Sequence, residues 1–289
     1  MTQHLVTYQS LWAMEGLPIE APGAWSLDEQ LELIAGAGFD GVSLSSGFGG
    51  DDAELPGIAD RARAAGLRVY LAARPPGPDV RSTVETATTI DADFVVLCGN
   101  AFPLTVAEGV DLVGGWWGVA DDAGVTIHLE THRGTITNDL HYTLALIDQL
   151  PDVQLSADLS HYVVAHGMDE LMFASARRDE LLSMISTVLE RSVSFQGRVA
   201  SANQVQLQLG FPGAAPWVQL FRDWWRQGFT SWRARSGPDD EGVFICELGG
   251  APYPSTGPDG RELSDRWLEA QQLRSWALEA FAEAGAGPD

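Results

Sequence analysis

Long apolar runs are absent from this sequence, and cysteine is scarce. No apolar stretch approaches the roughly 18 residues that a membrane span needs, and the first residues show no basic region followed by an apolar stretch. The two cysteines, Cys98 and Cys246, lie in predicted buried strands, where a free cysteine behaves as a small hydrophobic residue. These absences exclude a disulfide framework and a cysteine-rich zinc site. We therefore expect a cytoplasmic protein with no membrane partner.

Basic residues are also few. The chain of 289 residues has 17 basic against 40 acidic side chains, which gives a formal net charge of −23 at pH 7. A surface of this sign repels phosphate backbones and anionic membranes, so a nucleic-acid partner is not expected. No glycine-rich phosphate loop stands out, which favours an unphosphorylated substrate.

Strand-like and helix-like segments alternate along the chain. The predicted strands are short apolar runs without strict alternation, which is typical of parallel strands buried on both faces. They are Leu5–Gln9, Gly41–Leu44, Arg68–Ala72, Phe94–Leu97, Val125–Glu130, Val153–Asp158, Ser192–Gln196 and Val243–Glu247. The longest predicted helices are Asp169–Glu190, Ala215–Arg235 and Leu263–Ala284. Three helices end in an Ala-Gly pair just before a strand: Ala37-Gly38, Ala65-Gly66 and Ala123-Gly124.

This alternation predicts a single (β/α)8 TIM barrel, of the α/β class, over residues 1–284. A doubly wound open sheet is the structural alternative. No linker or low-complexity stretch divides the chain, and residues 285–289 are predicted to form a flexible tail.

Four predicted strands in the second half end in oxygen-bearing side chains: Glu130, Asp158, Gln196 and Glu247. In a TIM barrel the active site lies at the C-terminal ends of the strands. A carboxylate is costly to desolvate unless it is paired or bound to a metal. Any single one of these residues could instead cap a helix or carry a solvated charge. Together, on consecutive strands, they predict a cage for a hard divalent cation.

The motifs around these residues carry a resemblance to a known superfamily. They are Leu129-Glu130-Thr131-His132-Arg133-Gly134, Asp158-Leu159-Ser160-His161 and Cys246-Glu247-Leu248-Gly249. In order and strand placement the chain resembles the xylose isomerase-like superfamily of TIM barrels, also called the AP endonuclease family 2 type. That superfamily contains sugar isomerases, ketose epimerases, inosose isomerases and dehydratases.

The resemblance implies a set of metal ligands. The family holds its metal with Glu, Asp, His and Glu, and these positions fall on Glu130, Asp158, Gln196 and Glu247. Gln196 therefore departs from the commonest pattern. Oxygen ligands favour Mn2+ or Mg2+, with Co2+ as a further candidate, over Zn2+ or Cu2+. Three carboxylates around a divalent ion would leave the site net negative unless basic residues offset them.

Further residues are expected to contact substrate. His161 resembles the family histidine that contacts substrate near the metal, and Arg198 is placed either to reach a substrate oxygen or to pair with a carboxylate. His132 follows Glu130 by two residues and so points to the same face if the strand continues. Trp12, just after the first strand, could form an aromatic wall for a sugar. His128 lies deeper and is interpreted as a core residue.

The ligand set and the resemblance together imply a divalent-metal-dependent isomerase or epimerase. Its substrate would be a sugar or polyol-type hydroxy-ketone, converted through an enediolate with Glu130 and Glu247 as the acid/base pair. Loss of a β-oxygen from that intermediate would instead give a lyase, either 3-dehydroshikimate dehydratase-like or keto-glycoside-cleaving, and Gln196 favours this alternative. A non-catalytic barrel subunit is a third hypothesis. A homo-oligomer, dimer or tetramer, is also expected, whereas six histidines and the acidic charge disfavour a DNA-repair nuclease.

Overall fold

Eight parallel strands close into a barrel in the computed structural model, which describes residues 3–19, 23–48, 50–169 and 177–286. The strands are β1 (His4–Ser10), β2 (Gly41–Ser46), β3 (Arg68–Ala73), β4 (Val95–Leu97), β5 (Ile127–Glu130), β6 (Leu155–Ala157), β7 (Ser192–Gly197) and β8 (Glu241–Cys246). Each strand pairs with its neighbour in the sequence, and β8 pairs back onto β1, where Val6 lies opposite Val243. The (β/α)8 barrel is thus confirmed, and the open doubly wound sheet is excluded.

Helices follow the strands in the order that a TIM barrel requires. The α-helices among the described residues are Leu27–Gly36, Leu55–Ala64, Arg81–Thr89, Val106–Ala123, Leu140–Gln149, Leu159–Ala165, Arg178–Glu190, Ala215–Arg235 and Arg266–Gly285. Short 3-10 helices cover Trp12–Met14, Asp52–Glu54 and Pro212–Ala214. No helix of the described ranges is long and apolar enough to cross a membrane. Part of the predicted helix Asp169–Glu190, at 170–176, and the tail residues 287–289 lie outside the described residues.

Local side chains set the ends of several helices. Ser26 begins the first helix with a capping box, in which its side chain accepts from the Glu29 amide and Glu29 returns a bond to the Ser26 amide. The helix Val106–Ala123 ends at Gly124, which adopts a left-handed conformation with φ 68°. Glycine adopts this conformation at little energetic cost because it has no Cβ. The glycines of the other two Ala-Gly pairs also have positive φ. The Ala-Gly pairs therefore mark helix ends, as the sequence predicts.

Three of the four strands that carry the predicted ligands end one residue away from the predicted position, and only β5 ends as predicted. Gln196 lies within β7 and Glu130 ends β5, but Asp158 and Glu247 lie one residue beyond β6 and β8. Asp158 leaves the strand because its side chain accepts from the Ser160 amide and caps the helix Leu159–Ala165. All four side chains nevertheless belong to the C-terminal end of the barrel.

An aromatic layer fills the barrel interior below that end. Tyr8 meets Tyr70 edge-to-face at 5.2 Å between ring centroids, and Tyr70 stacks on Phe94 at 4.9 Å. His128 stacks on Phe94 at 4.6 Å, and its Nδ1 lies 3.1 Å from the Ser194 hydroxyl. His128 is therefore a core residue, as expected.

Charged side chains occupy the N-terminal end of the barrel. Tyr8 belongs to the aromatic layer, and its hydroxyl donates to Asp93 at the N-terminal end of the barrel, at 2.6 Å. Arg68 donates to Asp93 and to Glu241, each at 2.7 Å, and His4 lies 2.8 Å from Glu241. The aromatic layer thus separates this network from the polar groups at the opposite end.

Candidate active site

Three carboxylates come together at the C-terminal end of the barrel. Glu130 and Asp158 are buried, and the side chain of Glu247 is 17% exposed. Ligand atoms of Glu130, Asp158 and His161 all lie within 4.8 Å of one another. Glu247 joins this group through Arg198, which contacts both Glu247 and Asp158.

Asp158 is held by hydrogen bonds to both of its oxygens. Its Oδ1 accepts from the amide of Ser160 at 3.0 Å and from the Ser160 hydroxyl. Its Oδ2 accepts from Nη1 of Arg198 at 3.0 Å and lies 3.4 Å from Nε2 of His161. The residue therefore caps a helix and faces the site with the same side chain, which joins two interpretations that the sequence left as alternatives.

Arg198 lies between two of the carboxylates. Its side chain is 2% exposed, its Nε donates to the Glu247 carbonyl at 2.9 Å, and its Nη2 lies 3.4 Å from the Glu247 carboxylate. Burial opposes its charge, but the neighbouring Asp158 and Glu247 outweigh burial and raise the pKa of the guanidinium. Of the two roles open to Arg198, the structure shows the pairing with carboxylates.

This arginine changes the charge expected for the site. When all three carboxylates are ionised, as a bound cation would require, three carboxylates and one guanidinium leave two negative charges, which a single divalent cation would neutralise. A net negative site was expected only if no basic residue offsets the carboxylates. Arg198 is such a residue, because it pairs with Asp158 and Glu247. A neutral site accepts a neutral hydroxy-ketone without a large electrostatic penalty.

Trp12, the first residue of the short 3-10 helix that follows β1, orients Glu247. Its Nε1 donates to Oε1 of Glu247 at 3.0 Å, and its ring packs edge-on against Tyr253. The ring also covers Gly249 so closely that a Cβ there would lie 2.0 Å from the indole. Trp12 is thus at the rim, as predicted, and it also positions a carboxylate, which the sequence did not indicate.

Burial raises the pKa values of all three carboxylates, and repulsion by a neighbouring carboxylate adds to the rise in Glu130 and Glu247. The pKa of Glu130 rises to about 8, first because the group is desolvated and then because Glu247 and Asp158 are near. Desolvation also raises the pKa of Asp158 and Glu247, although Arg198 opposes the rise in both. Carboxylates that repel one another in this way gain from a nearby cation.

His132 and His161 pack against each other, with ring centroids 3.8 Å apart. Desolvation lowers the pKa of His132 to about 3 and lowers that of His161 well below its ordinary value, so both rings are neutral. Nδ1 of His132 bonds the Arg133 carbonyl, while Nδ1 of His161 has no hydrogen-bond partner within the described part of the chain. The structure therefore brings both histidines to the carboxylates.

Gln196 supplies an acceptor that its neighbours do not satisfy. The side chain is buried in β7, and its Nε2 lies 3.5 Å from the Ser156 hydroxyl. Its Oε1 has no hydrogen-bond donor among the described residues. Leaving such an acceptor unsatisfied costs about 1–3 kcal/mol. An unsatisfied buried oxygen at the same end of the barrel as the three carboxylates fits a site that holds a hard cation.

Cys98 is a site residue that the sequence interpretation missed. It directly follows β4, and its thiol donates to Oε2 of Glu130 at 2.9 Å. Desolvation, followed by the nearby Glu130, raises the pKa of the thiol well above its ordinary value. Cys98 is a free, buried cysteine, as the sequence predicts, but its thiol also bonds a carboxylate, which the sequence interpretation did not indicate. Its position at the C-terminal end of the strand next to β5 is the signal that could have revealed it.

Comparisons with known proteins place the fold. No protein-family profile matches the chain, and no curated protein matches it in sequence. A D-psicose 3-epimerase determined in the presence of D-fructose matches with a TM-score of 0.60 and 16% identity, over 96% of this chain and 99% of that one. A xylose isomerase-like TIM barrel protein from Mycobacterium smegmatis in complex with magnesium matches with a TM-score of 0.57 and 15% identity, over 97% and 98%.

A third solved structure belongs to the same comparison. The probable 3-DHS dehydratase from Bacillus anthracis matches with a TM-score of 0.55 and 12% identity, over 93% of this chain and 99% of that one. At these identities the likeness is one of fold. The chain therefore has the xylose isomerase-like TIM-barrel fold, which the sequence motifs predict.

Proposed function

We propose that this protein is a divalent-cation-dependent isomerase or epimerase of a sugar or polyol-type hydroxy-ketone, acting through an enediolate. One observation carries the proposal. Glu130, Asp158 and Glu247 meet at the C-terminal end of the barrel, where burial raises the pKa of all three and repulsion by neighbouring carboxylates adds to the rise in Glu130 and Glu247. Groups with such shifted pKa values cluster at functional sites.

The proposed cation ligands are Glu130, Asp158, Gln196 and Glu247. The oxygen donors favour Mn2+ or Mg2+, with Co2+ as a further candidate. Support comes from the unsatisfied Oε1 of Gln196 and from the two negative charges that Arg198 leaves uncompensated. When bound, the cation would supply Lewis acidity toward the substrate's carbonyl and neighbouring hydroxyl oxygens.

Glu130 and Glu247 are proposed to move the proton beside the carbonyl. Without a cation, burial and the neighbouring carboxylates raise the pKa of Glu130 to about 8, so that this carboxyl group holds a proton at neutral pH. A bound cation would lower this pKa toward the range in which a general base works. Trp12 and Arg198 hold the two oxygens of Glu247 in a fixed orientation. The two residues come from β5 and from the end of β8, so they approach a substrate from different sides of the barrel. Proton exchange from two sides is what epimerisation requires.

Four further side chains are proposed to bind and orient the substrate: His132, His161, Arg198 and Trp12. The Nδ1 of His161 has no partner among the described residues and could bond a substrate hydroxyl. The Trp12 ring, beside Tyr253, offers an apolar surface to a sugar ring. Arg198 keeps the site close to neutral, which suits an uncharged keto-sugar.

A lyase or dehydratase is the second candidate. Gln196 stands where the superfamily most often has histidine, and one structure of similar fold is the probable 3-DHS dehydratase. Loss of a β-hydroxyl or a glycosidic oxygen from the same enediolate would make this chain 3-dehydroshikimate dehydratase-like or keto-glycoside-cleaving. A screen that includes such substrates separates the two reactions by their products.

The test begins with cation content and proton exchange. Metal-stripped protein is loaded with Mn2+ and incubated in D2O with D-fructose and a panel of ketohexoses, and deuterium incorporation is followed by NMR. We expect exchange in the wild type and a loss of about 100- to 10,000-fold in Glu130→Gln and Glu247→Gln, because each variant lacks a proton carrier. Glu241→Gln is the matched control, since Glu241 begins the same strand at the opposite end of the barrel.

Two results would contradict the proposal. If Glu247→Gln exchanges deuterium at the wild-type rate, Glu247 does not carry the proton. If the wild type binds no cation after addition of Mn2+ and exchanges no proton, a non-catalytic barrel subunit becomes the better explanation.

A further inference from the structure

Two groups of potential metal ligands share the carboxylate of Glu130. One group is Glu130 with Asp158 and His161, and the other is Glu130 with Cys98 and His132. In each group the ligand atoms lie within 4.8 Å of one another. Glu130 therefore belongs to both groups, and its Oε2 accepts from the Cys98 thiol.

The backbone sets the tautomer of His132. Its Nδ1 bonds the carbonyl oxygen of Arg133, and because a carbonyl only accepts, Nδ1 carries the proton. A neutral ring with its proton on Nδ1 has its lone pair on Nε2. Histidines that bind metals commonly donate their second nitrogen to a backbone carbonyl in this way.

Cys98 gives the second group a different chemical character. Its sulfur lies 2.9 Å from Oε2 of Glu130, and the residue is buried. Sulfur, imidazole nitrogen and one carboxylate oxygen form a ligand set that Zn2+ and Co2+ prefer over Mg2+. The oxygen-rich group of Glu130, Asp158, Gln196 and Glu247 has the opposite preference.

We propose that Cys98, Glu130 and His132 form a second cation site, selective for Zn2+ or Co2+, which shares Glu130 with the oxygen-rich site. On binding, a metal–sulfur bond replaces the bond from the thiol to Glu130, and the thiol proton leaves to solvent. A second divalent ion with one thiolate adds one positive charge to a site that one cation makes neutral. The proposal goes beyond the proposed function but uses the same Glu130.

The experiment is a Co2+ titration of the metal-stripped full-length protein, kept anaerobic with a phosphine reductant. We expect about two equivalents to bind, one of them with a thiolate-to-cobalt charge-transfer band and release of about one proton. Cys98→Ser should lose the band and one equivalent. Cys246→Ser is the matched control and should keep both, because the Cys246 thiol bonds the Ala270 carbonyl instead.

The wild-type titration alone can overturn the proposal, even if Cys98→Ser does not fold. A single equivalent without the band would exclude the second site, and so would a band that persists in Cys98→Ser or disappears in Cys246→Ser. Mn2+ binding and proton exchange are measured on the same preparation. Exchange without the band leaves the proposed function standing alone, whereas the band without exchange leaves only the second site.

Discussion

Arg198 sets how much charge the candidate site carries. The guanidinium contacts Asp158 and Glu247 and has almost no access to solvent. A buried ion pair of this kind adds little net stability, because desolvation of the charges offsets their attraction. Its effect is on what else can bind. One fixed positive charge weakens the hold of the carboxylates on a cation, and it opposes the rise in the pKa of Asp158 and Glu247.

Removal of this charge should have two opposite effects. We expect Arg198→Met to unfold at lower temperature without a cation, because the loss of one partner from a buried ion pair costs about 3–5 kcal/mol. We expect Mn2+ to raise the unfolding temperature of the variant more than that of the wild type, since a repelling charge is gone. Thermal unfolding with and without Mn2+ measures both effects.

The control for that prediction is Arg222→Met. Arg222 pairs with Glu279 at 2.8 Å on the surface, where the two side chains are 30% and 51% exposed. Such a pair contributes about 1 kcal/mol or less. Equal stabilisation by Mn2+ in Arg198→Met and in the wild type would show that Arg198 does not balance the charge of the site.

Gln196 is expected to tune the choice of metal. In Gln196→His an imidazole nitrogen replaces a carbonyl oxygen, so preference should move from Mg2+ and Mn2+ toward Co2+ and Zn2+. Competition between pairs of metals for the stripped protein measures the shift. Gln219→His, an exposed glutamine in a helix, is the control. An unchanged order of preference would mean that Gln196 is not a ligand.

Residues of the site differ in how far the sequence alone could place them. Glu130, Asp158 and Glu247 could be predicted as site residues because each follows or ends an apolar strand, and such ends meet at one end of a barrel. The bond from Trp12 to Glu247 joins residues 235 positions apart, and nothing in the local pattern of either residue indicates it. The bond from Cys98 to Glu130 was not predicted, because the apolar neighbours of Cys98 indicate only that it is buried. Burial alone does not reveal a carboxylate partner.

At the scale of elements, the helix Ala215–Arg235 packs closely on β7 at Gly228. A Cβ at this position would lie 2.3 Å from Cε1 of Phe195, a buried residue of β7. Glycine normally weakens a helix interior by about 1 kcal/mol relative to alanine. At Gly228 the absence of a side chain is instead what allows the helix to contact the strand that carries Gln196.

Two glycine substitutions should therefore have opposite signs. Gly228→Ala is expected to lower the free energy of unfolding by about 1–3 kcal/mol, because the added methyl group overpacks the contact with Phe195. Gly118→Ala is the matched control in the helix Val106–Ala123, where a Cβ meets nothing within 4 Å. We expect it to raise the free energy of unfolding by up to about 1 kcal/mol. Urea unfolding of both variants measures this difference, and a stabilised Gly228→Ala would contradict the packing argument.

The sequence predicts the elements well but their ends less well. The Ala-Gly pairs located helix ends because a left-handed residue there favours glycine. The end of β6 was misplaced by one residue because Asp158 is compatible both with a strand and with a helix cap. Only the observed bond to the Ser160 amide decides between them. The local sequence therefore limits where a strand or helix can end, and the tertiary structure decides which residue ends it.

At the scale of the whole molecule, the dependence of stability on pH involves Glu269. This residue links the last helix to the loop that follows β7. It lies in the first turn of the helix Arg266–Gly285 and accepts from the Leu209 amide at 2.8 Å. Desolvation raises its pKa from 4.5 to about 7, and the bond from Leu209 opposes the rise. Between these two values the folded chain holds a proton that the unfolded chain releases.

Stability should therefore fall as the pH rises from about 4.5 to 7, as far as Glu269 contributes. We expect Glu269→Gln, which carries no charge, to be more stable relative to the wild type at pH 8 than at pH 5. Urea unfolding at both values measures the difference. Glu279→Gln, an exposed glutamate of the same helix, is the control. A difference between Glu269→Gln and the wild type that does not change with pH would contradict the assignment.

The aromatic layer of Tyr8, Tyr70 and Phe94 has a consequence for how the molecule can change. It divides the barrel into a charged base around Arg68 and an acidic site at the other end, and a strand of seven residues such as β1 spans about 20 Å between them. Groups that far apart without shared partners contribute independently to stability. The two ends are therefore modular. We therefore expect substitutions that alter chemistry at one end to leave the ion pairs at the other end intact, so that new activities could arise on this scaffold without loss of the contacts that keep the barrel closed.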